Sequence, residues 1–225
     1  MKYLQWHMGL GDAIAFADLA VRIADGSPMV VPCYDKNAVS VQSIFVNNPN
    51  IIVTPIDGNL DVAADFEMVR LGCYSGMPRN EGEDMIEWVY RTAGRDHRER
   101  FDDGVVMKAS AEWPHGQLTD VQVKPQTPEH YHFIHKDDER GFSIDPRKNG
   151  PAWWEGICKP KYHPSVSILA WCQLLVDAKY VHCIDSAFLH LAEQLRPRGE
   201  LFYHKYARPG SESYNTLRHK WTVLE

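Results

Sequence analysis

The chain has 225 residues, 44% of them hydrophobic, enough for one large domain or two small ones. Its net charge of −6 argues against a general polyanion binder but leaves room for a local basic cleft. No stretch approaches the ~20 apolar residues that cross a bilayer, and His7, Gly9, Gly11, Asp12 and Asp18 break up the opening segment too often for a secretory leader.

The five cysteines (Cys33, Cys73, Cys158, Cys172 and Cys183) are odd in number and scattered, mostly through apolar segments. They read as reduced core thiols of a cytoplasmic protein. The absence of any CxxC pair excludes a zinc ribbon.

Met1 to Trp6 is a short apolar strand, and His7 to Asp12, HMGLGD, a tight turn. Ala13 to Ala24 is helical, with Ile14, Ala17 and Val21 along one side. Asp25 to Pro28 ends that helix, and Met29 to Pro32 is the second strand, completing a βαβ unit with a glycine loop at its first turn. Val39 to Phe45 is the second helix, and Ile51 to Val53 a third buried strand. From Thr54 to Asn80 the pattern is too weak to assign. Glu83 to Ala93 is a helix, and Gly104 to Lys108 reads as a strand.

Glu112 to Pro128, with three prolines, is a connection. It separates a first lobe, 1–115, from a second, 128–225. His130 to His135, HYHFIH, opens the second lobe as a strand. Asp137 to Gly156 suits a polar loop above the sheet, and Ser167 to Ala178 a helix with Ile168, Trp171, Leu174 and Leu175 inward. Tyr180 to Ile184 is a central strand, with Asp185 and Ser186 as capping residues. Phe188, Leu191, Ala192 and Leu195 then form one helical face, which Arg196-Pro197 ends. Leu201 to His204 is the last strand, and a tail, Ser211 to Trp221, closes over one of the halves. The expected fold class is α/β, with two small Rossmann-like lobes whose mainly parallel sheets face a cleft.

Ligands of open parallel sheets bind beyond the carboxyl ends of the strands, where helices present free N–H groups. Ser186 and the amides of Ala187 and Phe188 are therefore placed to hold a phosphate, and Asp185 to accept from ligand hydroxyls. His190 lies one turn on, on the face of Ser186. Alone, this pattern also fits an ordinary capped helix with a buried His. In HMGLGD, Gly9 and Gly11 permit positive φ and close substrate approach. Asp12 stands at a helix start, where it also reads as an N-cap. The GxGxxG spacing is not met, because position 14 is Ile, which argues against a conventional NAD site.

With both turns present, the chain resembles the heptosyltransferase-like glycosyltransferases, the ADP-heptose:lipopolysaccharide transferases and their relatives with the GT-B fold. Their first lobe opens with a glycine turn ending in Gly-Asp, matched by Gly11-Asp12. Their second carries Asp-Ser/Thr-Gly-x-x-His, matched by Asp185, Ser186 and His190, with Ala187 where glycine usually stands. The resemblance implies a compact GT-B-like enzyme moving a sugar, with inversion and without a metal, from a nucleotide-diphosphate sugar to an acceptor hydroxyl. Asp12 would be the general base, with His7 of the same turn the second catalytic candidate. Donor contacts would come from Gly9, Gly11, Asp185, Ser186, Ala187 and His190, joined by His135, Arg140, His204 and Arg208, which stand at or beyond strand ends that converge in a parallel sheet. No cofactor is implied beyond the donor substrate. The acceptor would be a glycan, a small molecule or a modified nucleic-acid base.

Lys136, Arg140 and Arg147 follow the HYHFIH strand, where Arg140 also suits a surface ion pair with the acids before it. The spacing of the eleven histidines argues against a metal site: His130 and His132 share a strand face, His135 faces the other way, and no third ligand is suitably spaced, while His182 and His190 leave the alternative open. Trp153-Trp154 suits sugar stacking or a buried pair. The short chain and Ala187 motivate an alternative, a non-catalytic nucleotide- or glycan-binding protein on the same fold.

Overall fold

The computed structural model describes residues 1–57, 65–112, 131–145, 157–160, 163–210 and 216–225. His130, Arg147, Trp153 and Trp154, most of the expected connection and the first part of the tail lie outside these. The chain forms two compact units, Met1–Glu112 with His163–Leu169, and Trp113–Tyr162 with Ala170–Glu225. Each carries an all-parallel sheet flanked by helices, so the chain is α/β. Among the described residues, no helix is long and apolar enough to cross a membrane.

The first unit orders its strands β3-β2-β1-β4, with β1 Lys2–Gln5, β2 Met29–Tyr34, β3 Ile51–Ile56 and β4 Glu67–Arg70. β2 is apolar and buried through Cys33, as a central parallel strand must be. Pro32 has no N–H to offer; the β1 ladder stops at Val30, and the Trp6 indole donates to the Pro32 carbonyl at 3.0 Å. β4 pairs with β1 along its whole length, yet its EMVR sequence is only half-buried, so the apolar signal that marks β1–β3 is missing.

The helix expected over 13–24 begins earlier and is broken. Gly9 caps α1, Leu10–Ala15, and Phe16 (φ −111°, ψ 13°) separates it from α2, Ala17–Ala24. HMGLGD is therefore not a turn throughout, and Asp12 sits inside the first helical turn. Two further helices, α3 Ala38–Ile44 and α4 Met85–Thr92, lie where periodicity puts them. Asp84 and Glu87 close a capping box on α4.

The strand expected over 104–108 is instead the start of a helix, α5, Val105–Glu112. The valine pair has β propensity, but Asp18, fully buried on α2, overrides it. Its carboxylate accepts from the N–H groups of Asp103, Gly104 and Val105 at 2.9, 3.0 and 2.9 Å. Gly104 takes the positive φ (59°) that turns the chain into this helix. Asp18→Ala strands two buried N–H groups and one half-buried one, and should cost about 3 kcal/mol in denaturant unfolding. A loss under about 1 kcal/mol would contradict this anchoring.

The second unit orders its strands β6-β5-β7-β8-β9: β5 His132–His135, β6 Ile157–Cys158, β7 Tyr180–Cys183, β8 Glu200–His204 and β9 Trp221–Leu224. The helix expected over 167–178 starts as a 3-10 turn, Ile168–Trp171, followed by α6, Cys172–Asp177. Its lead-in, through Leu169, belongs to the first unit, where the Ser43 and Ser167 hydroxyls lie 2.5 Å apart and Ile168 N–H donates to Ser40 Oγ at 3.0 Å. α7, Ala187–Leu195, buries Phe188, Leu191 and Ala192 of the expected face and leaves Leu195 half-buried, and Arg196 ends it in the left-handed region (φ 57°).

The tail does not simply close over a half; its end, β9, joins the sheet. Glu193 on α7, 1% exposed, accepts from Arg218 N–H at 2.5 Å, His219 N–H at 3.3 Å and the Trp221 indole at 2.6 Å. That carboxylate gathers the segment leading into β9. Cys33, Cys172 and Cys183 are buried free thiols as expected, but Cys73 is exposed.

Candidate functional site

In the second unit, β5 and β7 are neighbours while the chain leaves them towards opposite edges of the sheet. Their carboxyl ends make a topological switch point, where α/β proteins open a ligand crevice. Four of the expected residues meet there. Ser186 Oγ lies 2.9 Å from His135 Nδ1, joining the ends of β7 and β5. His190 Nε2 lies 3.8 Å from Asp185 Oδ1.

Ser186 is the N-cap of α7, but its hydroxyl makes no capping bond; it faces His135 instead. Among the described residues, the N–H groups of Ala187 and Phe188 meet no acceptor. Among the described residues, two amide donors at the positive end of a nine-residue helix are thus left without an acceptor at the switch point.

Arg208 joins this cluster. Its Nη1 donates to the Asp185 carbonyl at 2.5 Å, and its guanidinium lies 5.5 Å from the Phe142 ring centre. Arg140 lies 5.7 Å from the same ring, but it is exposed and ion-paired with Asp137 through both Nε and Nη2. Its role is the surface ion pair, so the positive charge at the cluster comes from Arg208.

His135 and His204 do not supply charge. Burial pushes His135 down to about 4 and His204 to about 4, so both are neutral at pH 7. His204 is also 1% exposed, and both ring nitrogens are engaged: Nε2 at 3.0 Å from His182 Nδ1, Nδ1 at 3.1 Å from the Tyr206 hydroxyl. A ligand cannot reach it. The expectation for His204 rested on its place at a strand end and gave no weight to its neighbours across the sheet.

In the first unit, the switch point lies at the carboxyl ends of β1 and β4. His7 follows β1, and its Nε2 lies 3.3 Å from Cys73 Sγ just beyond β4, with the Tyr74 ring 5.9 Å away. Burial lowers the His7 pKa and raises that of Cys73, so a neutral thiol faces a neutral imidazole. Asn37 Nδ2, from the turn before α3, reaches the Met8 carbonyl at 3.5 Å.

Neither Gly9 nor Gly11 has positive φ: Gly9 is extended (φ −67°, ψ 152°) and Gly11 is helical. What Gly9 provides is room. A Cβ built on it would stand 2.5 Å from Asp12 Oδ2. The Asp12 carboxylate therefore turns back over the start of α1, at the carboxyl end of β1.

Cys73, Tyr74, Phe142 and Tyr206 were missed as site neighbours. The first two follow the unassigned strand β4, and the others lie in polar loops without periodicity.

No family model matches the chain, and no curated protein matches it. Among solved structures, the bacterial iron-containing dodecameric glycosyltransferase TibC from enterotoxigenic E. coli is similar to it, with a TM-score of 0.44 and 15% sequence identity. That similarity covers 93% of this chain and 60% of the other, so the chain spans about three fifths of that protein's length.

Proposed function

We propose that the chain is a metal-independent, inverting glycosyltransferase of compact GT-B type, acting in the cytoplasm on a nucleotide-diphosphate sugar. The observation that carries the donor site is the β5–β7 switch point, where the Ala187 and Phe188 amides, without an acceptor among the described residues, stand beside Ser186 and Arg208. A diphosphate fits this set: amide donors, a helix N-terminus and a guanidinium each stabilise its charge, which grows as the sugar leaves. The Gly11-Asp12 and Asp185-Ser186-x-x-x-His190 patterns support sugar transfer in particular.

Within this reading His135 is a positioning residue. If its Nδ1–H donates to Ser186, the serine proton stays available to a phosphate oxygen. Asp12 removes the acceptor proton. The buried free thiols Cys33, Cys172 and Cys183 fit a reducing compartment.

A panel of ADP-, GDP-, UDP- and CMP-linked sugars, offered with glycan, small-molecule and nucleic-acid acceptors, tests the reading. Acceptor-dependent release of a free nucleotide is expected for one donor. Ala187, which narrows the diphosphate seat, favours a second reading as a non-catalytic nucleotide or glycan binder. Saturable binding without nucleotide release from any pair would select that alternative.

A further inference from the structure

A row of hydrogen-bonded rings crosses the second unit's sheet. His132 Nδ1 on β5 lies 3.2 Å from His182 Nε2 on β7, and His182 Nδ1 lies 3.0 Å from His204 Nε2 on β8. His204 Nδ1 then lies 3.1 Å from the Tyr206 hydroxyl, which accepts from Asp145 N–H at 3.1 Å. All three histidines are buried, and His182 stacks on Phe202 with centroids 4.8 Å apart.

A neutral imidazole has one N–H and one lone pair, so every link in such a row must run in the same sense. The chemistry of the Tyr206 end favours one sense. A phenol is a stronger donor than an imidazole N–H, and an imidazole nitrogen a stronger acceptor than a phenol oxygen. The Tyr206 proton therefore goes to His204 Nδ1, and each histidine carries its proton on Nε2.

The Tyr206 end is the one near the donor cluster. Its hydroxyl joins the 142–145 loop, through Asp145, to the turn Lys205–Ala207 that delivers Arg208. Arg208 sits on the Asp185 carbonyl and over Phe142, which packs on Ile134, Ile144 and Ile184. An apolar row would fill the same space without desolvating three imidazoles. What the polar row adds is a fixed orientation of the Tyr206 hydroxyl.

We propose that His132, His182, His204 and Tyr206 form one directional hydrogen-bond chain, and that Tyr206 is thereby a positioning residue that seats Arg208 for the donor diphosphate. The second half of this rests on the donor-site reading; the first does not.

The test pairs nitrogen NMR of the histidine rings and the Arg208 guanidinium with calorimetry of ADP, GDP and UDP, on the full chain and on Tyr206→Phe. Expected in the parent are three Nε2–H tautomers and a guanidinium restrained from rotating. In Tyr206→Phe, His204 should lose its single tautomer, Arg208 should rotate freely, and diphosphate affinity should fall about fivefold to tenfold. His182→Gln, which cuts the row in mid-sheet, should weaken binding similarly.

Mixed tautomers in the parent would overturn the chain, and a guanidinium unmoved in Tyr206→Phe would overturn the positioning role. Equal diphosphate affinity in parent and Tyr206→Phe would overturn the positioning role. If the parent binds none of the three diphosphates while the NMR changes occur, the donor-site reading falls and the chain stands.

Discussion

Asp12→Asn should lower turnover by about 10²–10⁴-fold while leaving affinity for the nucleotide donor nearly unchanged. The substitution keeps the size and shape of the side chain and removes only its ability to take a proton. Asp12 lies in the first turn of α1, where a carboxylate also favours the helix electrostatically, but that contribution is about 0.3–1 kcal/mol and cannot produce so large a kinetic loss. Gly9→Ala gives an independent perturbation. Its added methyl would fall 2.5 Å from Oδ2, so the carboxylate must leave its place, and turnover should drop without any change of chemistry at position 12. Unchanged turnover in Asp12→Asn would reduce Asp12 to a residue of the helix start.

The second unit should lose stability steeply in mild acid. Burial, then the neighbouring His204 and His132, pushes His182 down to about 3, and burial pushes His204 down to about 4. Unfolded histidines titrate near 6.5. Between pH 6.5 and 4 the unfolded chain thus binds protons that the folded unit refuses, so stability rises with pH across that window. The stability is fully present above about pH 6.5 and drains away towards pH 4. At 1.36 kcal/mol per pKa unit, each group withholds up to ~3 kcal/mol at pH 4. That is a large share of the 5–15 kcal/mol typical of a domain. The thermal midpoint should fall by about 10 °C or more between pH 7 and pH 4.5. A midpoint that stays level across this range would contradict buried, neutral imidazoles.

The parts of the fold legible in the sequence are those where local pattern and tertiary role coincide. β2 and β7 read as buried strands because both faces are covered, and α7 shows its apolar stripe between Ser186 and Arg196. β4 and β9 were not legible. Their pairing depends on remote partners, β1 for the one, β8 and the Glu193 anchor for the other, and both strands are short and only partly buried. α5 was misread because the Asp18 carboxylate that starts it lies far away in sequence.

The candidate site divides along the same line. Asp185, Ser186 and His190 are close in the chain and were visible together. The His135 contact to Ser186 follows from strand ends meeting in a parallel sheet. The neutrality of His135 and His204, and the row running through His182, depend on burial and on cross-strand neighbours, which residue spacing does not encode.

A nucleoside diphosphate should bind at the start of α7. Calorimetry with ADP, GDP and UDP on the parent protein and on Ser186→Ala measures this. Saturable binding of at least one of them, weakened about fivefold to tenfold by the loss of the hydroxyl, is the expected result. No binding of any of the three, or equal affinity in parent and Ser186→Ala, would contradict it.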